Sequence, residues 1–112
     1  MTTATVGPDQ LDSLNDNAVL VDVSRGGIVD IDSVVERLGT GKLRSAVIDV
    51  WEAEPLAANS PYWSVPGLVV TPHTAGANAS YISALATRMA QSIALLEQGE
   101  PLISPVNRER GY

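Results

Sequence analysis

The spacing of apolar residues along the chain predicts one strand, one helix and then two further strands. Residues 18–24 form a nearly continuous apolar and β-branched run, which is typical of a buried strand. Residues 31–38 place their apolar side chains at the i, i+3, i+4 and i+7 positions of one helix face. Two shorter apolar runs, at 45–50 and 68–71, predict a second and a third buried strand.

Capping residues set the expected limits of the first two helices. A short helix begins at the Gly-Pro-Asp sequence of residues 7–9, where proline occupies a position that needs no N–H donor. Asp30 precedes the second helix and is expected to cap its amino end. Gly39 and Gly41 are expected to end this helix, because glycine readily adopts the left-handed conformation that closes many helices.

A third, longer helix is predicted near the carboxyl end of the chain. Asn78 or Ser80 is expected to begin it and Gly99 to end it. Its apolar side chains fall on one face and comprise Ile82, Leu85, Ala86, Met89, Ala90 and Ile93. Residues 101–112 are expected to form a tail.

The order of these elements predicts the fold class. A strand, a helix and a strand at this spacing form a βαβ unit, so we expect an α/β fold with a small parallel sheet and flanking helices. One connection is unusual, because residues 51–67 contain three prolines, which argue against a helix or a tight turn. Since long loops inside compact domains are usually functional, we expect this loop to contribute to a site.

Composition narrows the class of protein and its partners. The length of 112 residues allows one domain at most, and the lack of cysteine excludes a disulfide scaffold and a thiolate zinc site, so we expect no metal. A net charge of −6 without a basic cluster argues against nucleic acid and anionic membranes as partners. No apolar run approaches the length of a membrane span and no signal-peptide pattern opens the chain, so we expect a cytoplasmic location.

Ionisable residues follow all three predicted strands. Arg25 follows the first strand, and His73, the single histidine, follows the third. The second strand includes Asp49 near its end and leads into Glu52 and Glu54. Because open parallel sheets bind ligands beyond the carboxyl ends of their strands, we expect these side chains to share one crevice. Arginine binds carboxylates bidentately and histidine exchanges a proton near neutral pH, a combination suited to acid–base chemistry on an anionic substrate.

Each of these residues also has a simpler interpretation. Arg25 can be a solvated residue at a glycine turn, and His73 a structural or idle histidine. Glu52 and Glu54 can both be solubilising loop charges. Asp49 differs from them, because an acid at the end of a buried strand is costly unless it is hydrogen-bonded. The coincidence of these residues at successive strand ends raises the functional interpretation to equal standing with the simpler one.

The glycines of the GTGK sequence at 39–42 are not predicted to bind phosphate. A phosphate loop lies between a strand and the following helix, whereas these glycines follow a helix and precede a strand. Leu43 also stands where that motif needs serine or threonine. No G-x-G-x-x-G motif occurs in the 112 residues either, so the sequence contains no recognisable pyrophosphate site.

Three segments, in order along the chain, resemble the D-isomer-specific 2-hydroxyacid dehydrogenases. They are VDVSRGGIVD at 21–30, VIDVWEAEP at 47–55 and TPHTAG at 71–76, and shorter matches extend to the carboxyl end. The resemblance implies a partial Rossmann-like sheet that forms the second half of a dinucleotide-binding domain. It also implies an oxidoreductase that transfers a hydride between a small 2-hydroxy or 2-keto acid and NAD or NADP.

The same resemblance implies roles for individual residues. Arg25 would bind the substrate carboxylate and carbonyl, His73 would be the acid–base group, and Glu54 its partner. Asp49 would hold the nicotinamide carboxamide. The remaining contacts to the cofactor would come from Arg25 and His73 themselves and from Val23, Ala75 and Gly76.

The resemblance further predicts how the chain is organised. Residues 1–100 are expected to form the partial NAD-binding domain and residues 101–112 the tail. We expect a carboxyl-terminal fragment that is inactive alone, binds NADH weakly and forms a homodimer in a full-length form. Such a fragment would leave an unpaired sheet edge and exposed apolar helix faces. The alternative is a non-catalytic remnant or binding module that does not bind cofactor alone.

Overall fold

The computed structural model describes residues 5–111, which divide after Ala75 into two compact units. The described part of the first unit contains two α-helices and three strands: α1 (Pro8–Asp12), β1 (Ala18–Asp22), α2 (Ile31–Thr40), β2 (Leu43–Ile48) and β3 (Leu68–Val70). The described part of the second unit contains one helix, α3 (Tyr81–Glu97). The predicted division at residue 100 stays a prediction, and its ranges include residues 1–4 and Tyr112, which lie outside the described residues.

The three strands form a single parallel sheet in the order β1-β2-β3, which confirms the predicted α/β class. Side chains alternate between the two faces of a sheet along each strand. The register therefore places two apolar rows on opposite faces, one of Leu20, Ala46 and Leu68 and the other of Val21, Val47 and Val69.

The hydrophobic core lies on the face that carries Ala46. Leu11 of α1 and Val34 of α2 are completely buried in one cluster with Ala46 and Leu43. Both helices therefore pack on the same face of the sheet.

The valine face differs from the prediction. Val19, Val21 and Val69 are 43%, 58% and 50% exposed, so β1 and β3 are not buried on both sides. A continuous apolar run does not reveal whether one face or both faces of a strand are covered. The sequence therefore predicted more burial of β1 and β3 than the structure shows. The expected unpaired edge is present, since β1 lies at the edge of the described sheet.

Helix α2 begins and ends largely as its capping residues predict. The Asp30 carboxylate accepts hydrogen bonds from the backbone N of Ser33 at 3.2 Å and from its hydroxyl at 2.9 Å. Gly41 closes the helix in the left-handed conformation, with φ of 78°. Gly39 lies inside the helix rather than at its end, which corrects the prediction, because the chain turns left-handed only at Gly41.

Two other predictions from the sequence need correction. Strand β2 begins at Leu43, two residues earlier than expected. The connection of residues 51–67 contains a short 3₁₀ helix, Pro61–Ser64, which begins after Ser60. Pro61 begins this helix instead of preventing it, because the first turn of a helix needs no N–H donor from proline.

Helix α3 begins where the sequence placed a cap. The Asn78 side chain accepts hydrogen bonds from the backbone N of Ser80 at 3.0 Å and from its hydroxyl at 2.8 Å. Ile82 and Met89 are 72% and 56% exposed, in agreement with the expected exposed apolar helix face. Within residues 5–111, every helix is too short or too polar to cross a membrane.

Candidate active site

Four of the predicted site residues lie just beyond the carboxyl ends of the parallel strands. Arg25 follows β1 by three residues, Asp49 directly follows β2, and His73 follows β3 by three residues. Glu54 lies in the loop that continues from Asp49. Because the strands are parallel, all of these segments leave the sheet on the same side, at the carboxyl ends of the strands.

Glu54 and His73 form a hydrogen-bonded pair. His73 Nδ1 lies 2.7 Å from Glu54 Oε2, and Glu54 Oε1 accepts a hydrogen bond from the backbone N of Trp51 at 2.9 Å. The hydrogen bond with His73, followed by the one from Trp51, holds the pKa of Glu54 below its ordinary value. An ionised carboxylate only accepts hydrogen bonds, so His73 Nδ1 carries the shared proton and Nε2 is left for a ligand.

Arg25 is held at the turn after β1. Asp22, which is 5% exposed, ends the strand and accepts hydrogen bonds from the backbone N of Ser24 at 3.0 Å and from its hydroxyl at 2.6 Å. Arg25 Nη1 donates to the Ser24 carbonyl at 2.6 Å, and the positive charge of Arg25 contributes to the lowered pKa of Glu54. A guanidinium has five N–H donors, so further donors remain for a bound carboxylate.

Asp49 is buried and hydrogen-bonded, as an acid in this position must be. It is 2% exposed, and its carboxylate accepts three hydrogen bonds. The donors are the Thr71 hydroxyl, the backbone N of Thr74 at 3.0 Å and the backbone N of Ala75 at 2.8 Å. These bonds, with the one from Thr71 first, lower the pKa of Asp49. A carboxylate has about four acceptor positions, so one remains for a ligand group such as an amide.

The other predicted cofactor residues lie in different settings. Val23 follows β1 with its side chain 55% exposed, which leaves an apolar surface for a flat ring. Ala75 ends the first unit, and its backbone N is bonded to Asp49. Gly76 begins the second unit, where a Cβ added to it would meet nothing within 4 Å.

Gly26 has a structural role that was not predicted from the sequence. A Cβ on this residue would lie 2.1 Å from the carbonyl oxygen of Trp51, so the turn after β1 packs backbone to backbone against the loop after β2. That contact fixes the turn that carries Arg25 beside the loop that carries Glu54. The double glycine was the available signal: Gly27 supplies a left-handed conformation with φ of 80°, and Gly26 supplies the space.

An apolar cavity of about 410 Å³ adjoins the Glu54–His73 pair. Its size falls in the range of ligand pockets, which are roughly 300–1,000 Å³. Besides the pair itself, the lining residues are mostly aromatic, proline or aliphatic: Trp51, Pro55, Leu56, Trp63, Val70, Thr71 and Pro72. A small molecule can therefore lie next to the ionisable pair with its apolar part against these side chains.

Asp49→Asn is expected to weaken the acid dependence of stability. The pKa of Asp49 is lowered in the folded state, so its stabilising contribution is complete above the unfolded value of about 3.9 and is lost as the pH falls through the lower folded value. The variant should be less stable at pH 7 in urea unfolding. Its stability should also decline less steeply below about pH 4 than that of the unchanged chain.

Asp12→Asn is the matched control for this experiment. It also removes a carboxylate of lowered pKa, because Asp12 is hydrogen-bonded to Arg37, but it leaves the bonds to Thr74 and Ala75 in place. Amide exchange at these two residues should accelerate in Asp49→Asn alone. Equal exchange in both variants would contradict the assigned role of Asp49.

Comparison with known families and structures finds consistent similarities. The family model for the NAD binding domain of D-isomer specific 2-hydroxyacid dehydrogenases matches residues 1–75. Glyoxylate/hydroxypyruvate reductase A of Escherichia fergusonii is 40% identical over an alignment of 107 positions that covers 91% of this chain and 32% of that protein. Glyoxylate/hydroxypyruvate reductase A of Salmonella choleraesuis is 38% identical over an alignment of 119 positions, gaps included, that covers 99% of this chain and 36% of that protein. The chain thus spans about a third of the length of these curated relatives.

Two solved structures have a similar fold. A D-isomer specific 2-hydroxyacid dehydrogenase from Xanthobacter autotrophicus Py2, in complex with NADPH and MES, has 32% identity and a TM-score of 0.85. The match covers 99% of this chain and 45% of that one. An NADPH-dependent glyoxylate/hydroxypyruvate reductase from Sinorhizobium meliloti, in complex with NADP and sulfate, has 34% identity and a TM-score of 0.85, with 99% and 36% covered.

Proposed function

Because the chain belongs to the D-isomer-specific 2-hydroxyacid dehydrogenase family, we propose that it serves in an NAD(P)-dependent oxidoreductase that interconverts a D-2-hydroxy acid and the matching 2-oxo acid. The observation that carries the proposal is the hydrogen bond between Glu54 and His73, with the positive charge of Arg25 beside it. In this arrangement His73 carries the proton, Glu54 orients His73, and Arg25 is the cation for the substrate carboxylate.

His73 acts as the acid and the base of the reaction. In the reduction, Nε2–H gives its proton to the oxygen at substrate C2, and in the oxidation Nε2 takes that proton back. Glu54 holds the Nδ1 proton and with it the orientation of the ring. When bound, NAD(P)H supplies the hydride that reaches C2.

Arg25 binds the substrate carboxylate through its planar donors, which sets C2 in place for the transfer. The residues near the strand ends also fit the nicotinamide part of the cofactor. Val23 offers an exposed apolar surface to a ring face, and Asp49 retains an acceptor position for the carboxamide. Ala75 and Gly76 would line the same ring.

The choice of substrate and cofactor follows the relatives. Their names support glyoxylate and hydroxypyruvate as the first 2-oxo acids to test, and the bound molecules of the similar structures support NADPH as the first cofactor. The alternative function, a non-catalytic binding module, is favoured by the lack of a G-x-G-x-x-G motif in the 112 residues. An activity assay separates the two.

We further propose a cytoplasmic location and a homodimer in a full-length form. The half-exposed row of Val19, Val21 and Val69 supports association, because apolar surface of this kind is commonly covered by a partner. The net charge of −6 supports a small-molecule substrate rather than nucleic acid.

The test uses a chimera in which this chain replaces the matching third of the Escherichia fergusonii reductase. Oxidation of NADPH by glyoxylate or hydroxypyruvate in this chimera would support the proposed function. A folded chimera that binds NADPH but oxidises none would support the binding module instead.

Arg25→Lys in the chimera is expected to raise KM for the 2-oxo acid and to lower kcat. Lysine keeps the charge but loses the planar fork, and a misplacement of about 1 Å can cost roughly 10²-fold in rate. Steady-state kinetics measure both constants. Arg44→Lys, at an exposed position of β2, is the matched control and should change neither constant. An unchanged KM in Arg25→Lys would contradict the assigned role.

A further inference from the structure

We propose that Thr71 is a positioning residue for His73: its hydroxyl, bonded to Asp49, holds the turn of residues 71–75 in the conformation that keeps His73 against Glu54. The role of Thr71 in catalysis rests on the proposed function, whereas its role in holding the turn of residues 71–75 does not. Thr71 lines the cavity beside the pair, and we assign its hydroxyl, which is bonded to Asp49, a positioning role that acts through His73.

The hydrogen bonds to Asp49 lie on both sides of His73. Thr71 donates from two residues before it, and the backbone N–H groups of Thr74 and Ala75 donate from the two residues after it. All three donors meet on one carboxylate that is 2% exposed. Residues 71–75 therefore turn around the Asp49 carboxylate, and the side chain of His73, in the middle of this turn, is partly exposed.

His73 has a backbone conformation that needs this support. Its φ is 53°, in the left-handed region, which residues with a Cβ rarely occupy because of steric contact with the backbone. Such a conformation persists only where the surrounding structure holds it. The three hydrogen bonds to Asp49 hold the chain on both sides of His73 and so support this conformation.

Thr71 connects this turn to the sheet. Its backbone N donates to the carbonyl of Ile48 at 3.0 Å, which continues the β2–β3 pairing, while its hydroxyl reaches Asp49. Only Pro72 separates Thr71 from His73, and the proline ring fixes one of the backbone angles between them. A change in the position of Thr71 therefore changes the position of His73, because only one residue, with one fixed backbone angle, lies between them.

The test is nuclear magnetic resonance on the 112-residue chain, in which the single histidine gives an unambiguous ring signal. Thr71→Val has nearly the same shape but no hydroxyl. It should shift the ring ¹⁵N signals toward those of Glu54→Gln, which alters the pair directly, and accelerate amide exchange at Thr74. Thr71→Ser keeps the hydroxyl and should restore both readouts. Thr40→Val, at an exposed position of α2, is the matched control and should change neither.

Wild-type ring signals and amide exchange in Thr71→Val would overturn the inference. Should the valine variant fail to fold, Thr71→Ala, which cannot clash, takes its place with the same two readouts. In the chimera, Thr71→Val should lower kcat about tenfold with KM nearly unchanged, and serine should restore it. A shifted ring signal in the isolated chain together with an inactive wild-type chimera would refute the proposed function and leave the positioning role intact.

Discussion

His73→Ala in the chimera is expected to lower kcat by about 10²–10⁴-fold in both directions, the usual contribution of a positioned acid–base group. Removing the imidazole removes the proton donor for reduction and the proton acceptor for oxidation. The Glu54 carboxylate that remains cannot replace it, because it faces the opposite ring nitrogen, Nδ1, and is held there by the backbone N of Trp51. Steady-state oxidation and reduction of NADP(H) measure the effect.

A double-mutant cycle tests whether His73 acts together with Glu54. Residues that work as one unit show strongly non-additive losses, so Glu54→Gln should cost much less in the His73→Ala background than in the wild-type chimera. Added imidazole is expected to restore part of the lost rate, since the Glu54 side chain is 35% exposed and remains reachable. Near-normal turnover in His73→Ala would refute the role of His73 and the mechanism built on it.

Gly26→Ala is expected to lower the free energy of unfolding by about 1–3 kcal/mol or more, the usual range for overpacking. The added methyl group would lie 2.1 Å from the carbonyl oxygen of Trp51 and 2.5 Å from the backbone N of Glu52. Both are main-chain atoms, so no side chain can rotate away and the two loops must separate. Urea unfolding measures the loss of stability, and the fluorescence of Trp51, in a background with Trp63→Phe, reports the separation.

Gly39→Ala is the matched control for this prediction. Gly39 lies inside α2, and a Cβ there would meet nothing within 4 Å. Alanine in a helix interior is more favourable than glycine by roughly 0.5–1 kcal/mol, so this variant should become more stable. The two substitutions add the same methyl group with opposite expected signs. Equal unfolding free energies for Gly26→Ala and the unchanged chain would refute the close packing of the two loops.

Local patterns along the chain were sufficient to predict the strands and the α-helices, though not the 3₁₀ helix of residues 61–64, and to predict that the candidate site residues lie at the carboxyl ends of the strands. The cap at Asp30 and the left-handed glycine at Gly41 depend on neighbours within a few residues, so they follow from the sequence directly. The position of Arg25 and His73 just beyond parallel strands follows in the same way, because strand direction decides which ends meet.

Only the tertiary structure decided which groups are in contact. Asp49 meets donors more than twenty residues away in the chain, and Gly26 meets the backbone of Trp51. Whether a run of valines such as that of β1 is covered on one face or on both is decided in the same way. These features depend on distances between segments that are remote in sequence, and residue periodicity contains no information about such distances.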